Sequence, residues 1–229
     1  MFLFLNIFKK KQKQSTKTKE VKPEMKKEKI AERKGELGEY KIDIQLAQMP
    51  KEYKYVTDIM IKNDKSKSGY SQIDHVLITS YGVFVIETKN YQGTIYGGKN
   101  RKQWLVNGKI RFMSPFIQNY GHIQALKGIS TQMDHFFSVV SFTKRCTFRL
   151  DELDYRKIDS DHLVVYDVEL SEFINRKISV LKLTKQTPIL NDQQINEIYE
   201  SLQHANITDK ELRQAHVKAL NEITPKKFL

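Results

Sequence analysis

The stretch QIDHVLITSYGVFVIETKN, residues 72–90, constrains this chain more than any other. It reads as two β-strands joined at Tyr81-Gly82. Side chains alternate faces along a strand. Asp74, Val76 and Ile78 therefore share one face of the first strand. On the second, Val83, Val85, Glu87 and Lys89 share one face and Phe84, Ile86 and Thr88 the other. Strands this apolar belong at the centre of a sheet, where charges are rare without a reason. Yet Asp74 sits near the start of the hairpin, and Glu87 and Lys89 near its end. Directly paired residues of antiparallel strands lie about 5 Å apart at Cα, so the three side chains can converge on one small ligand if the paired faces agree.

Two carboxylates held that close repel, and each raises the cost of ionising the other. A divalent cation between them removes that cost. Oxygen ligands with room for water suit Mg²⁺, which takes one or two carboxylates and keeps several waters. Such an ion lowers the pKa of a bound water and neutralises charge building on a phosphate. The nearby lysine adds a positive point charge for the transition state. These are the parts of a metal-dependent phosphodiesterase. The same residues also make a plain cross-strand ion pair, and spacing alone does not choose between the two.

The rest of the chain supplies the cover. Residues 24–34 read as a charged helix with Glu24, Glu28 and Glu32 at four-residue spacing. In the following segment Leu37, Tyr40, Ile44 and Ala47 recur at helical spacing and predict one buried face, with Glu36, Glu39 and Asp43 on the adjoining face and Pro50 ending the helix. Residues 53–61 read as a strand and 62–69 as an exposed loop. GTIYGG and QWLVNGKIRF read as further strands, the latter folded at Asn107-Gly108. Ser114 and Pro115 predict an N-cap and first position for a helix over 116–137. A strand at 137–143, another at 162–168 and a short helix at 169–177 follow. Asn191 is expected to cap one C-terminal helix, and Thr208 or Asp209 the last. This order predicts an α/β fold with a mixed central sheet flanked by helices. No glycine-rich phosphate loop is present, which removes support for nucleotide binding.

Asp74, followed after twelve residues by Glu87-Thr88-Lys89, resembles the D-(x)n-(D/E)-x-K signature of the PD-(D/E)XK nuclease superfamily. KGELGEY at 34–40, QIDHVLIT at 72–79, GVFVIETKNYQGTIYGG at 82–98, Trp104 and SPFIQNYGHIQAL at 114–126 are similar, in order, to blocks of the nuclease-related domain family, NERD. The resemblance implies a restriction-endonuclease-like fold. It implies Asp74 and Glu87 as ligands of Mg²⁺ or Mn²⁺, Lys89 as the catalytic lysine, and Glu39 as a helical carboxylate that completes or orients the site, with Glu36 second in register. It places Gln118 near the site; a solvent-facing turn residue is the alternative. His75 points away from Asp74 and reads as a packed histidine, and Trp104 as core. The implied function is hydrolysis of phosphodiester bonds in DNA by an endonuclease. A non-catalytic nucleic-acid-binding or scaffold module of the same fold is the competing reading.

Charge divides the chain. Residues 1–34 hold twelve Lys and Arg against four Glu, a balance of +8 out of a total of +12. Residues 1–33 thus form an apolar tip and basic arm, 34–185 the nuclease-like domain and 186–229 a C-terminal helical extension. DNA is the expected partner, through the cleft and the arm. The tip MFLFLNIF is too short to span a bilayer and lacks the charge order of an export signal. The expected location is the cytoplasm, with peripheral membrane contact through residues 1–8 as a further reading. The single cysteine, Cys146, forms no internal disulfide, which fits a reducing compartment.

Overall fold

A computed structural model describes residues 23–151 and 156–223. The basic tip and most of the arm lie outside the described residues. The hairpin is central, as its two apolar faces require. Strands β1 (Lys54–Lys62), β2 (Tyr70–Thr79) and β3 (Gly82–Lys89) run antiparallel, and β7 (Phe136–Phe142) and β9 (His162–Tyr166) continue the sheet in parallel, in the order β1-β2-β3-β7-β9. The turn is one residue earlier than the sequence suggests. Ser80 and Tyr81 make it, and Gly82 already pairs with Thr79. A side chain at Gly82, with φ of 132°, would run into the His135 carbonyl at 2.8 Å.

Helices cover both faces. Helix α1 (Pro23–Leu46) and α3 (Leu170–Lys185) bury Leu77, Phe84, Ile86, Val139, Leu163 and Val165 on one side. Helices α2 (Pro115–Lys127) and α4 (Asp192–Ala205) bury Val76, Ile78, Val83 and Val85 on the other. The central sheet is mixed, as expected, and a second sheet packs beside it. The second, in the order β6-β5-β4-β8, comprises β4 (Gly93–Gly97), β5 (Gln103–Val106), β6 (Ile110–Met113) and β8 (Cys146–Leu150). Trp104 is fully buried between them, stacked on Phe142 and edge-on to Phe116, so it is core, as expected.

Several expectations fail for identifiable reasons. Helix α1 is continuous through position 34, and the stripe Leu37, Tyr40, Ile44, Ala47 faces solvent, with Tyr40 61 % exposed. The buried face is Gly38, Ile42 and Leu46. Glycine adds nothing to a hydrophobic pattern, yet Gly38 is where α1 approaches β3: a Cβ there would meet Thr88 Cγ2 at 3.2 Å. Helix α2 stops at Lys127 against Gly128 rather than running to 137. Ser114 precedes Pro115 as expected, but its hydroxyl makes no capping hydrogen bond. The helix expected at 169–177 begins at Leu170 and runs on to Lys185. Asn191 caps α4, accepting from the Gln194 amide at 2.9 Å. Asp209 caps α5 (Lys210–Ile223), accepting from Glu211 and Leu212. Among the described residues no helix is long and apolar enough to cross a membrane.

Candidate active site

The β2–β3 register pairs His75 with Ile86. One step further places Asp74 opposite Glu87, both on the face that carries Val76 and Val85. The Asp74 carboxylate reaches across, and its Oδ2 accepts a hydrogen bond from the Thr88 backbone amide at 2.7 Å. Glu87 is buried and paired: Lys89 Nζ lies 2.5 Å from its Oε1. Gln118, in the first turn of α2, closes a triangle. Its Nε2 donates to Glu87 Oε1 at 2.7 Å, and its Oε1 accepts from Lys89 at 3.1 Å. Thus the structure brings Asp74, Glu87, Lys89 and Gln118 together, and Gln118 does not face water alone.

What holds Gln118 there is its neighbour. Asn119 is fully buried, and its Nδ2 reaches the Val85 carbonyl, Ser138 Oγ and the Val139 carbonyl at 3.0–3.2 Å. That pins the first turn of α2 across β3 and β7. One turn on, His122 is also buried, with Nε2 3.4 Å from Glu87 Oε2. The contact lacks hydrogen-bond geometry, and Glu87 Oε2 and both His122 ring nitrogens have no hydrogen-bond partner among the described residues. His122 follows Gln118 by four residues on the same helix, which sets both on one face.

Glu39 comes from the opposite side, on α1. Helix α1 is fixed by polar contacts. Buried Asp167, in the 3₁₀ turn Asp167–Glu169 before α3, accepts from Lys41 Nζ at 3.1 Å and from the Lys144 amide at 2.9 Å. Gln45 accepts from the Ser171 amide and donates to the Asp167 carbonyl. Glu39 is half-buried. Burial raises its pKa, and the charges of Asp58, Glu87 and exposed Glu36 raise it further. Asp58 is an addition that the sequence did not suggest. It interrupts the β1–β2 ladder between the pairs Thr57–His75 and Ile59–Ile73, opposite Asp74, with φ of 47°.

The electrostatics separate the two facing carboxyls. Burial and the charge of Glu87 push Asp74 well above the usual carboxylate range. Burial also pushes Glu87 up, but the Lys89 ammonium beside it, with His122, outweighs this and holds it at about 2. Burial alone would lower Lys89. Its negative neighbours, Glu87 first, raise it instead, so it stays an ammonium at neutral pH. The like-charge cost anticipated for the pair therefore falls on Asp74. His75, on the other face, is buried and pushed down to about 4 by burial, consistent with packing. Burial drives the Cys146 thiol up to about 12, which removes it as a nucleophile.

Among the described residues no group of three or more His, Cys, Asp or Glu side chains is placed to cage a metal. The pair Asp74 and Glu87 nevertheless fits a hard cation that takes one or two carboxylates. Both are oxygen ligands facing each other across neighbouring strands, and Glu87 Oε2 is a buried acceptor without a hydrogen bond.

Residues 34–143 match the family model described as nuclease-related domain, NERD. An uncharacterized protein of Bacillus anthracis is 30 % identical over 192 residues, which cover 82 % of this chain and 84 % of the relative. Among solved structures, the crystal structure of a protein of unknown function is matched over 83 % of this chain and 100 % of its own, at 14 % identity and a TM-score of 0.36.

Proposed function

Because this chain belongs to the nuclease-related domain family, we propose that it is a metal-dependent nuclease that hydrolyses phosphodiester bonds of DNA at Asp74, Glu87 and Lys89. The observation that carries the reading is the arrangement at the end of the hairpin. A buried Glu87 spends one oxygen on Lys89 and Gln118 and turns the other toward His122 Nε2 at 3.4 Å without hydrogen-bond geometry, opposite an Asp74 whose pKa is raised. A fold gains little from burying such a set.

Asp74 and Glu87 would hold Mg²⁺ or Mn²⁺, which supplies Lewis-acid stabilisation of the phosphate and a more acidic bound water. Lys89 works as a fixed charge. Its raised pKa rules it out as a general base at neutral pH and suits it to the negative charge that builds on a phosphate oxygen in the transition state. Gln118 holds Lys89 and Glu87 in one orientation, so little reorganisation is needed when substrate arrives. Glu39, with its raised pKa, adds a carboxyl on the α1 side of the site.

The test is cleavage of end-labelled DNA and RNA strands by the parent protein in Mg²⁺ or Mn²⁺. Cleavage of DNA that disappears in Asp74→Asn supports the reading. DNA binding without turnover in either metal returns the chain to a non-catalytic binding module.

A further inference from the structure

Gln72 precedes Asp74 by two residues on β2, so their side chains leave the sheet on the same face, about 6.6 Å apart along the strand. Helix α5, beyond the segment matched to the family, lies over this end of β2. Arg213 ties it down. One guanidinium nitrogen, Nη2, donates to the Asp58 carbonyl at 2.9 Å and pairs with Asp58 Oδ1 at 2.5 Å, while Nη1 donates to the Ile207 carbonyl at 3.0 Å. Gln72 Nε2 donates to the same Asp58 carboxylate at 2.6 Å. Buried His216 lies 2.9 Å from Ser68 Oγ and edge-on to Tyr70. The lead-in to α5 is stitched to β1, with the Ile207 amide donating to the Met60 carbonyl at 2.7 Å.

Between this helix and Gln72 is a cavity of about 560 Å³. Its helical wall includes Gln214, Val217, Lys218 and Asn221, at the spacing of one helix face. Lys218 is exposed and has no ion pair within 4 Å among the described residues; Glu222, one turn on, also lines the cavity. The amides of Gln214 and Asn221 are likewise uncommitted among the described residues. A cation and two amides without partners, on one face above a cavity, suit an anionic ligand rich in acceptor oxygens.

We propose that this cavity is a subsite for the nucleic-acid strand, receiving a phosphodiester that neighbours the one at Asp74 and Glu87. Lys218 meets the phosphate, Gln214 and Asn221 donate to phosphate or sugar oxygens, and Val217 packs against the sugar. The inference rests on the nuclease reading for the position of the neighbouring phosphodiester. It adds a strand-binding role for α5.

The experiment measures the affinity of the full chain for a labelled DNA duplex in EDTA over a series of salt concentrations, then kcat and KM in Mg²⁺. Lys218→Ala should lower the slope of log K against log salt by about 0.9, the value of one lost phosphate contact. It should raise Kd and KM together several-fold and leave kcat unchanged. Glu222→Gln should tighten binding, and Asn221→Trp, which fills the cavity, should weaken it. Lys109→Ala, in the turn between β5 and β6, is the control and should change nothing. If Lys218→Ala leaves the slope and Kd unmoved, or acts no more strongly than Lys109→Ala, the subsite is overturned, while metal-dependent cleavage by the parent would keep the nuclease reading intact. If the parent does not cleave but Lys218→Ala still lowers affinity and slope, the strand contact stands and the nuclease reading falls. If the parent does not bind DNA at all, the subsite is overturned.

Discussion

Removing charge from the two facing carboxylates should have opposite effects on the metal-free fold. In Glu87→Gln the Lys89 ammonium, with a side chain only 17 % exposed, loses a partner at 2.5 Å. Two unit charges at that separation attract by about 7 kcal/mol at an effective dielectric of 20, and desolvation offsets much of this. Breaking one side of a buried pair costs about 3–5 kcal/mol, and the residual exposure of Lys89 argues for the lower end. In a chain of this size about 1 kcal/mol moves Tm by about 2–4 °C, so the expected fall is about 6–12 °C. Asp74→Asn should behave otherwise. The Asn carbonyl can still accept from the Thr88 amide, and the repulsion from Glu87 disappears. That variant should be as stable as the parent or more so. The double variant Glu87→Gln/Lys89→Met should recover most of the loss, because the stranded ammonium is gone. The assay is thermal and urea unfolding in EDTA at pH 7. A Glu87→Gln protein as stable as the parent, together with a destabilised Asp74→Asn, would refute the assignment of the charge pair to Glu87 and Lys89.

Other expectations follow from the same geometry. Asn119→Ala leaves the Val85 and Val139 carbonyls without their side-chain donor and should cost about 1–3 kcal/mol in urea unfolding; it should also lower cleavage by releasing Gln118. Gly38→Leu pushes α1 away from Thr88 and should destabilise by about 1–3 kcal/mol, whereas Leu37→Ala on the exposed face should leave Tm close to the parent's. His75 is buried neutral, with its pKa at about 4 against 6.5 when unfolded. Its contribution is therefore complete above pH 6.5 and is lost as pH falls through 4. About 3 kcal/mol of acid sensitivity should thus vanish from the pH–stability curve of His75→Val. Deleting residues 1–22 should weaken DNA binding and flatten its salt dependence if the arm contacts phosphates; an unchanged slope removes the arm from the interface.

The central hairpin was legible because period-two alternation is local. Glu87 and Lys89 fall on one face of β3 whatever surrounds them, and the β2–β3 register, with the turn shifted by one residue, sets Asp74 on that same face. The face of α1 was not legible, since its closest approach to the sheet is made through Gly38, and Leu37, Tyr40 and Ile44 form an exposed apolar stripe that competes with buried Ile42 and Leu46. Strand β8, CTFRL, alternates correctly but is five residues long, and its partner is β4, more than fifty positions earlier. The supports of the site are of the same distant kind. Asp167 holds Lys41 across 126 positions, and Arg213 holds Asp58 across 155. Nothing in the local sequence of either residue announces its partner. Gln118 lay between the two cases: a family resemblance suggested it, and only the packing of Asn119 shows what holds it in place.

The most direct test of the central claim is nicking of supercoiled plasmid by the parent and by Lys89→Ala, each in Mg²⁺ and in EDTA, with Mg²⁺-induced stabilisation followed in parallel. The parent should nick in Mg²⁺ and not in EDTA. Lys89→Ala should still be stabilised by Mg²⁺ through Asp74 and Glu87, and should fail to nick. Nicking by Lys89→Ala at the parent's rate, or nicking by the parent that persists in EDTA, would contradict the assignment of hydrolysis to this site.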